Sequence, residues 1–542
     1  MKEGTYYNSP VLSATHAEHF TDEEQAKLAP FFTNTDRHVF ALTNLPETVK
    51  GALFARYSRS AKSLRRLFLD EFAAEMPSTP WVGESVGLAR AEKLYARVFN
   101  EYGDDSVAQL GGAHVACEYV SNILTKVLEW GRLMAYLEQS TRYVPYTDRL
   151  HGRWRYHIPL EVTGALRDRY VQTMDEAFSL YAKWIPAMQE HFARQYPKSP
   201  ADSEAVHRAA IRAKALDTLR GMLPAATQSN VGLYGSGQAF EALLLRMRAH
   251  PLAEARDCAG MMLEELRKVI PAFLTRVDLP DRGGRWSEFL ADTRNATGSV
   301  AASLLDGITA EPRDEVTLTA FDADGEAKIV AAALYAISDL PDDQLHSIAA
   351  RMSIDERARV LRTYAGERSN RRHKPGRAFE RTSYRFDVLT DYGAFRDLQR
   401  HRLLTLEWQA LTTNHGFTEP EAIETAGAAD DWTRVMDSSA ALHDDLLSAG
   451  LGPVAQYAVA MAYRIRFYVE MNAREAMHMI ELRTAPQGHP AYRRVCQQMH
   501  RLIAERAGHR VVADAMRFAD HSVVELERLG SERTLEKKRE KL

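Results

Sequence analysis

The order of local patterns in this chain runs through once and then begins again, and that doubling restricts the available folds more than any other feature. In the first pass His38-Val39-Phe40-Ala41-Leu42 reads as a short strand, and Pro46 sits near a helix start continued by Val49, Leu53 and Phe54 into Ala55-Arg56-Tyr57-Ser58. Val115, Cys117 and Tyr119 alternate as on a half-buried strand, and Val120, Ile123, Leu124, Val127 and Leu128 then take the spacing of an amphipathic helix. Trp130-Gly131-Arg132, Glu138 and Ser140-Thr141-Arg142 come next. A long, mostly helical stretch leads to Gly235-Ser236-Gly237 and Leu245-Arg246; as a dinucleotide fingerprint this lacks a third glycine and a clear preceding strand.

Pro280, Gly283, Gly284 and Pro312 punctuate the chain, and the second pass starts. Val316-Thr317-Leu318-Thr319 is a strand candidate, and Ile329 to Tyr335 a helix whose Ala333-Leu334-Tyr335-Ala336 echoes Ala55-Arg56-Tyr57-Ser58. Tyr384, Phe386 and Val388 alternate, Tyr392, Phe395 and Leu398 take helical spacing, and Arg400-His401-Arg402 follow. Ile465, Phe467, Val469 and Met471 make another alternating strand, after which Asn472 with Glu475 has the form of a capping box. Both passes place His-Pro soon after a Leu-Arg pair, at His250-Pro251 and His489-Pro490.

A repeat of about 250 residues is too long for a solenoid unit, so a duplicated domain is the simpler reading. The expected fold class is α/β (α+β): two tandem domains, each an antiparallel or mixed sheet with long helices, largely helical overall. The expected bounds are an extension over 1–36, a first domain over 37–300, a second over 301–528 and a solvated, mixed-charge tail over 529–542.

Composition narrows the chemistry. The 69 Lys plus Arg nearly balance the 73 Asp plus Glu, and a net charge of -4 gives no bulk attraction to nucleic acid or anionic lipid. Cys117, Cys258 and Cys496 are scattered without a CxxC pair, which argues against a disulfide framework or thiolate metal site. His16 and His19 have no carboxylate or third histidine in register, so a surface reading is preferred and no metal is expected. The first residues lack the apolar core of a signal peptide and no apolar run is long enough to span a bilayer, so a cytoplasmic protein is expected.

Arg400, His401 and Arg402 set two permanent cations and a titratable ring side by side, suited either to a basic helix surface or to an anion such as a reduced flavin. Asn472 and Arg483 are eleven residues apart, which returns them to nearly one helix face. A cap and a C-terminal cation account for each alone, but not for Arg474, Met477 and Leu482 arriving in the same register.

The string Asn472-Ala473-Arg474, Met477, Leu482-Arg483, preceded by Arg400-His401-Arg402 and by Glu380, resembles the flavin-dependent thymidylate synthases. The resemblance implies that Arg400, His401, Arg402, Asn472, Arg474 and Glu380 face FAD and that Arg483 faces the nucleotide. It also implies NADPH as reductant, methylenetetrahydrofolate as one-carbon donor and dUMP as the substrate methylated to dTMP.

The family motif continues into Asn, Glu, Ser and Arg positions that bind nucleotide, and the second copy holds Glu407, Trp408, Ala410 and Thr412 there. The first copy has lost the leading Arg and His but keeps Glu138, Ser140 and Arg142. It places Gly235 and Gly237 where Asn and Arg would stand, and keeps Arg246. These complementary losses suggest one composite site, with Arg483, Ser140 and Glu138 at the reacting nucleotide and Arg142, Ser140, Arg483 and Arg246 binding it. Because members of the family are homotetramers, a homodimer of this chain forming a pseudo-tetramer is expected. Two other readings stand beside this one: a flavin enzyme acting on another nucleotide, to which Asp397, Trp408 and Ala410 point, and a non-catalytic nucleotide-sensing or assembly homologue.

Overall fold

The computed structural model describes residues 18–45, 53, 54, 57, 60–73 and 112–540. His16, the helix start at Pro46 and Val49, and Ala55, Arg56 and Ser58 of the echoed tetrapeptide lie outside the described residues. The chain forms two compact units, and neither is continuous in sequence. The first takes Met1–Ala182, Leu223–Thr309 and Asp437–Val459; the second takes Lys183–Met222, Ala310–Met436 and Ala460–Leu542.

In the first unit β1 (Val39–Ala41), β2 (Gly112–Ser121), β3 (Met134–Glu138) and β4 (Gln228–Ser236) form an antiparallel sheet in the order β1-β2-β4-β3. β2 is buried almost from end to end, so it is a central strand covered on both faces and not the half-buried one its alternation predicts. Its register slips between Cys117 and Val120, with Tyr119 at a φ of 57°, in the manner of a bulge. Val120 therefore belongs to the strand and not to the helix that follows. The helix α1 (Asn122–Leu128) starts after Ser121, whose hydroxyl accepts from the Leu124 amide at 3.0 Å.

Gly235-Ser236-Gly237 does have a strand before it. β4 hides behind the polar and glycine content of Gln228 to Ser236, yet most of it is buried. The buried polar atoms find partners: Asn230 Oδ1 accepts from the Tyr119 amide at 2.9 Å. Gly232 lies under the ring of Phe54, which a Cβ would meet at 2.2 Å. Packing then continues through α2 (Gly237–Arg248) and α3 (Ala253–Arg267), while α4 (Arg285–Leu304), where the glycines and prolines predict a break, is a largely exposed helix. The stretch Asp437–Val459 is joined to this unit by Tyr457, which donates to Glu254 at 2.7 Å and accepts from the Ala226 amide at 3.0 Å.

The second unit repeats this plan. β5 (Val316–Phe321), β6 (Ser383–Asp391), β7 (Thr405–Trp408) and β8 (Arg464–Asn472) are antiparallel in the order β5-β6-β8-β7, the same permutation as in the first sheet. Helices α5 (Gly325–Tyr335), α6 (Tyr392–Leu398), α7 (Ala473–Arg483) and α8 (Pro490–Glu505) accompany it. β3 and β7 are too short to show an alternation, which is why the sequence reading passes over both. The charged C-terminal stretch is the helix Leu529–Arg539, and Arg533 Nη2 donates to Asp202 at 2.8 Å, so it is not simply a solvated tail. No helix among the described residues is long and apolar enough to cross a membrane.

Candidate active site

In the second unit β8 hands over to α7 at Asn472, whose carboxamide oxygen accepts from the Glu475 amide at 2.9 Å while its backbone is still paired with Ser383 in the sheet. Only this forward half of the expected capping box forms. The Glu475 carboxylate turns inward instead and accepts from His401 Nδ1 at 3.2 Å and His478 Nδ1 at 3.3 Å. Burial alone would raise the Glu475 pKa, but these two histidines outweigh it and hold the carboxyl down at about 2. His401 is buried, and chiefly for that reason its pKa falls from 6.5 to about 4, with the charge of Arg483 adding to the effect.

Arg483 closes the same helix. Its Nε donates to His401 Nε2 at 3.0 Å, its Nη1 stands 3.8 Å from Asp397, and its guanidinium lies 5.5 Å from the centroid of the Tyr492 ring. Among the described residues neither of its two amino groups makes a hydrogen bond. Asp397 also pairs closely with Arg400 and stands 3.6 Å from Arg220, so one carboxylate gathers three guanidinium groups. Arg402 is exposed.

Glu380, given from the motif only as a residue facing the flavin, meets Arg474 of that motif directly. Arg474 Nη1 donates to Glu380 at 3.2 Å and its Nε to the Pro375 carbonyl at 2.9 Å, with Arg377 on the other side of Glu380 at 3.0 Å. Arg400, His401, Arg402, Asn472, Arg474, Arg483 and Glu380 thus all belong to the second unit. From sequence His478 has no role, Glu475 is read only as a cap, and Asp397 only as a departure from the family pattern. The i, i+3 spacing of Glu475 and His478 was the available signal, and the cap reading of Glu475 concealed it.

The retained residues of the first copy lie in the first unit. Glu138 is buried at the end of β3 and is paired with Lys126 at 3.2 Å, whose Nζ also donates to Glu129 at 2.6 Å. Ser140 and Arg142 stand in the turn that follows, where the Ser140 hydroxyl accepts from the Arg142 amide at 3.3 Å and its carbonyl from the Tyr143 amide at 3.2 Å. Arg246 lies with its guanidinium 5.3 Å from the Trp130 ring centroid, and burial lowers its pKa. The residue matching Asn472 is Ser236, which caps α2 by accepting from the Ala239 amide at 3.3 Å, and not Gly235 as the motif spacing has it. Measured from the caps, Arg246 falls one position before the place of Arg483.

His401, Glu475 and His478 also form the cluster of metal-ligating side-chain types found among the described residues, with one donor atom each within 4.8 Å of the others. No metal was expected from the sequence.

Comparison with known proteins agrees with the doubling. The profile of the family described as thymidylate synthase complementing protein matches two segments, residues 52–272 and 319–507. A protein of Chlamydia muridarum, described as a UPF0159 protein, is 37% identical over 523 residues, which is 95% of this chain and 98% of that one. A UPF0159 protein of Chlamydia pneumoniae is 35% identical over 525 residues, again 95% and 98%. Among solved structures, a UMP/dUMP methylase from Streptomyces cacaoi bound with 5-Br dUMP aligns with 38% of this chain and 97% of its own at 20% identity and a TM-score of 0.31, too slight a likeness to argue from. On the two matched segments, this chain belongs to the thymidylate synthase complementing protein family.

Proposed function

We propose that the chain is a flavin-dependent thymidylate synthase, methylating dUMP to dTMP with methylenetetrahydrofolate as one-carbon donor and with FAD reduced by NADPH. The observation that carries this reading is Arg483: its Nε is tied to His401 while both amino groups make no hydrogen bond among the described residues. Such a fork suits a pyrimidine carbonyl oxygen, where it stabilises the negative charge that develops as the ring reacts.

The donor set also fits the flavin nucleotide. Arg400, Arg402 and Arg474 offer guanidinium groups of which none is fully buried, appropriate to a polyanionic cofactor with an electron-rich ring, and Asn472 and Glu380 set the position of Arg474 and its helix. When bound, FAD supplies the hydride chemistry; the chain supplies binding and orientation. In the same proposal Ser140 and Arg142 hold the nucleotide phosphate, Arg246 belongs to the substrate side, and the active form is a homodimer equivalent to the family's tetramer.

A second reading has one observation in its favour. The motif positions expected to hold nucleotide are Glu407, Trp408, Ala410 and Thr412, and the first two belong to β7; these departures from the family pattern favour a flavin enzyme acting on another nucleotide. The test has three parts. A purified protein with an FAD spectrum supports a flavoenzyme, and a colourless one that cannot be reconstituted sinks both enzyme readings in favour of a sensing homologue. Rescue of a thymidine auxotroph supports the first reading over the second. Arg142→Ala should weaken dUMP binding far more than FAD binding.

A further inference from the structure

His401, Glu475 and His478 have the donor types of a divalent-metal site, but their protons are arranged for something else. The Nε of arginine always carries hydrogen and can only donate. His401 Nε2, 3.0 Å from Arg483 Nε, must therefore present its lone pair. A neutral imidazole carries one proton, so that proton is on Nδ1 and points to the Glu475 carboxylate at 3.2 Å. A metal on Nδ1 would need this proton removed, and moving it to Nε2 would break the bond to Arg483. His478 Nδ1 donates to the same carboxylate at 3.3 Å, which fixes Glu475 in turn.

We infer that His401 and Glu475 are positioning residues for Arg483: they grip its Nε from inside the protein, in one tautomer, and leave both amino groups for the substrate. Asp397, 3.8 Å from Nη1, steadies the other side. His401 then has both ring nitrogens engaged within the protein and is not a flavin ligand, in contrast to its neighbours Arg400 and Arg402. A long flexible side chain held this way loses little rotamer freedom when substrate arrives. That Arg483 meets a nucleotide rests on the proposed function; the grip itself does not.

The test compares His401→Ala and His401→Gln, the latter keeping an oxygen able to accept from Arg483. The expected result is that His401→Ala raises the dUMP dissociation constant at least about tenfold, leaves that of FAD within about threefold, and is partly rescued by Gln. Loss of FAD binding as large as that of dUMP would make His401 a flavin ligand and overturn the inference. So would one equivalent of zinc per purified chain that disappears in His401→Ala. If the parent protein binds neither FAD nor dUMP, it is the thymidylate reading that fails. The grip is then decided by nitrogen-15 shifts of the His401 ring, assigned by their loss in His401→Gln: protonation on Nδ1 upholds it and protonation on Nε2 refutes it.

Discussion

Arg368 and Glu481 meet as a buried bidentate pair, with both amino groups 2.6 Å from the two carboxylate oxygens. Glu481 lies two positions before Arg483 on α7, so the pair anchors the helix that carries the site. Arg368→Met should cost about 3–5 kcal/mol in denaturant unfolding, because it strands a buried carboxylate, and adding Glu481→Leu should recover part of that loss. A single variant as stable as the parent would show that the pair contributes nothing net.

Arg474 offers a separate test of the flavin side. It is half-buried and its bonds to Glu380 and Pro375 keep it at the start of α7. Removing a charge-assisted hydrogen bond to the cofactor costs about 1.5–3 kcal/mol, so Arg474→Ala should weaken FAD binding by about 10- to 100-fold in a fluorescence titration. Unchanged FAD affinity would remove Arg474 from the flavin site.

Glu138 distinguishes a structural from a catalytic carboxylate. Its partner Lys126 is buried between two carboxylates, so Lys126→Met should destabilise by several kcal/mol, about 3–5 by analogy with other broken buried pairs. Glu138→Gln should lower the melting temperature. If it also lowers kcat while KM is unchanged, the carboxylate acts in the reaction as well as in the fold; a change confined to stability assigns it to the fold.

Acid should weaken the second unit in two stages. The folded His401 ring is held at about 4 against an ordinary 6.5, so below pH 6.5 the unfolded chain takes up a proton that the folded one refuses, and stability falls until about pH 4. Glu475, at about 2 against 4.5, adds a second loss from pH 4.5 downward. The histidine stage amounts to at most about 3 kcal/mol. His401→Gln should flatten the melting temperature between pH 6.5 and 4 relative to the parent; parallel curves would contradict this.

Much of the plan could be read in the sequence, because the doubling imposed two copies of one strand order and β1, β2, β5, β6 and β8 carry apolar runs or alternation. β4 escaped because its core role depends on side chains that are absent or polar: Gly232 yields space to Phe54, and Asn230 is satisfied by a backbone amide 111 residues earlier. The same limit applied at the site. Glu380 and Arg474 stood out as motif positions, but their contact, like Asp397 gathering Arg220, Arg400 and Arg483, or Glu475 abandoning its cap for two histidines, depends on which side chains a fold brings into contact. Spacing also misplaced the first-copy cap by one residue, since Gly235 and Ser236 are equally compatible with a strand-to-helix turn until the hydrogen bond to Ala239 is seen.

The repeat written in the sequence and the units formed in space are different divisions of this chain. Lys183–Met222, from the first half, completes the second unit through Arg220 beside Asp397 and Gly221 under Trp432; Asp437–Val459, from the second half, completes the first through Tyr457 on Glu254. A cut after Thr309, the natural seam of a duplicated gene, would therefore yield two fragments that are each missing a piece of their own interior. The halves have traded parts, and neither alone carries the whole of a unit.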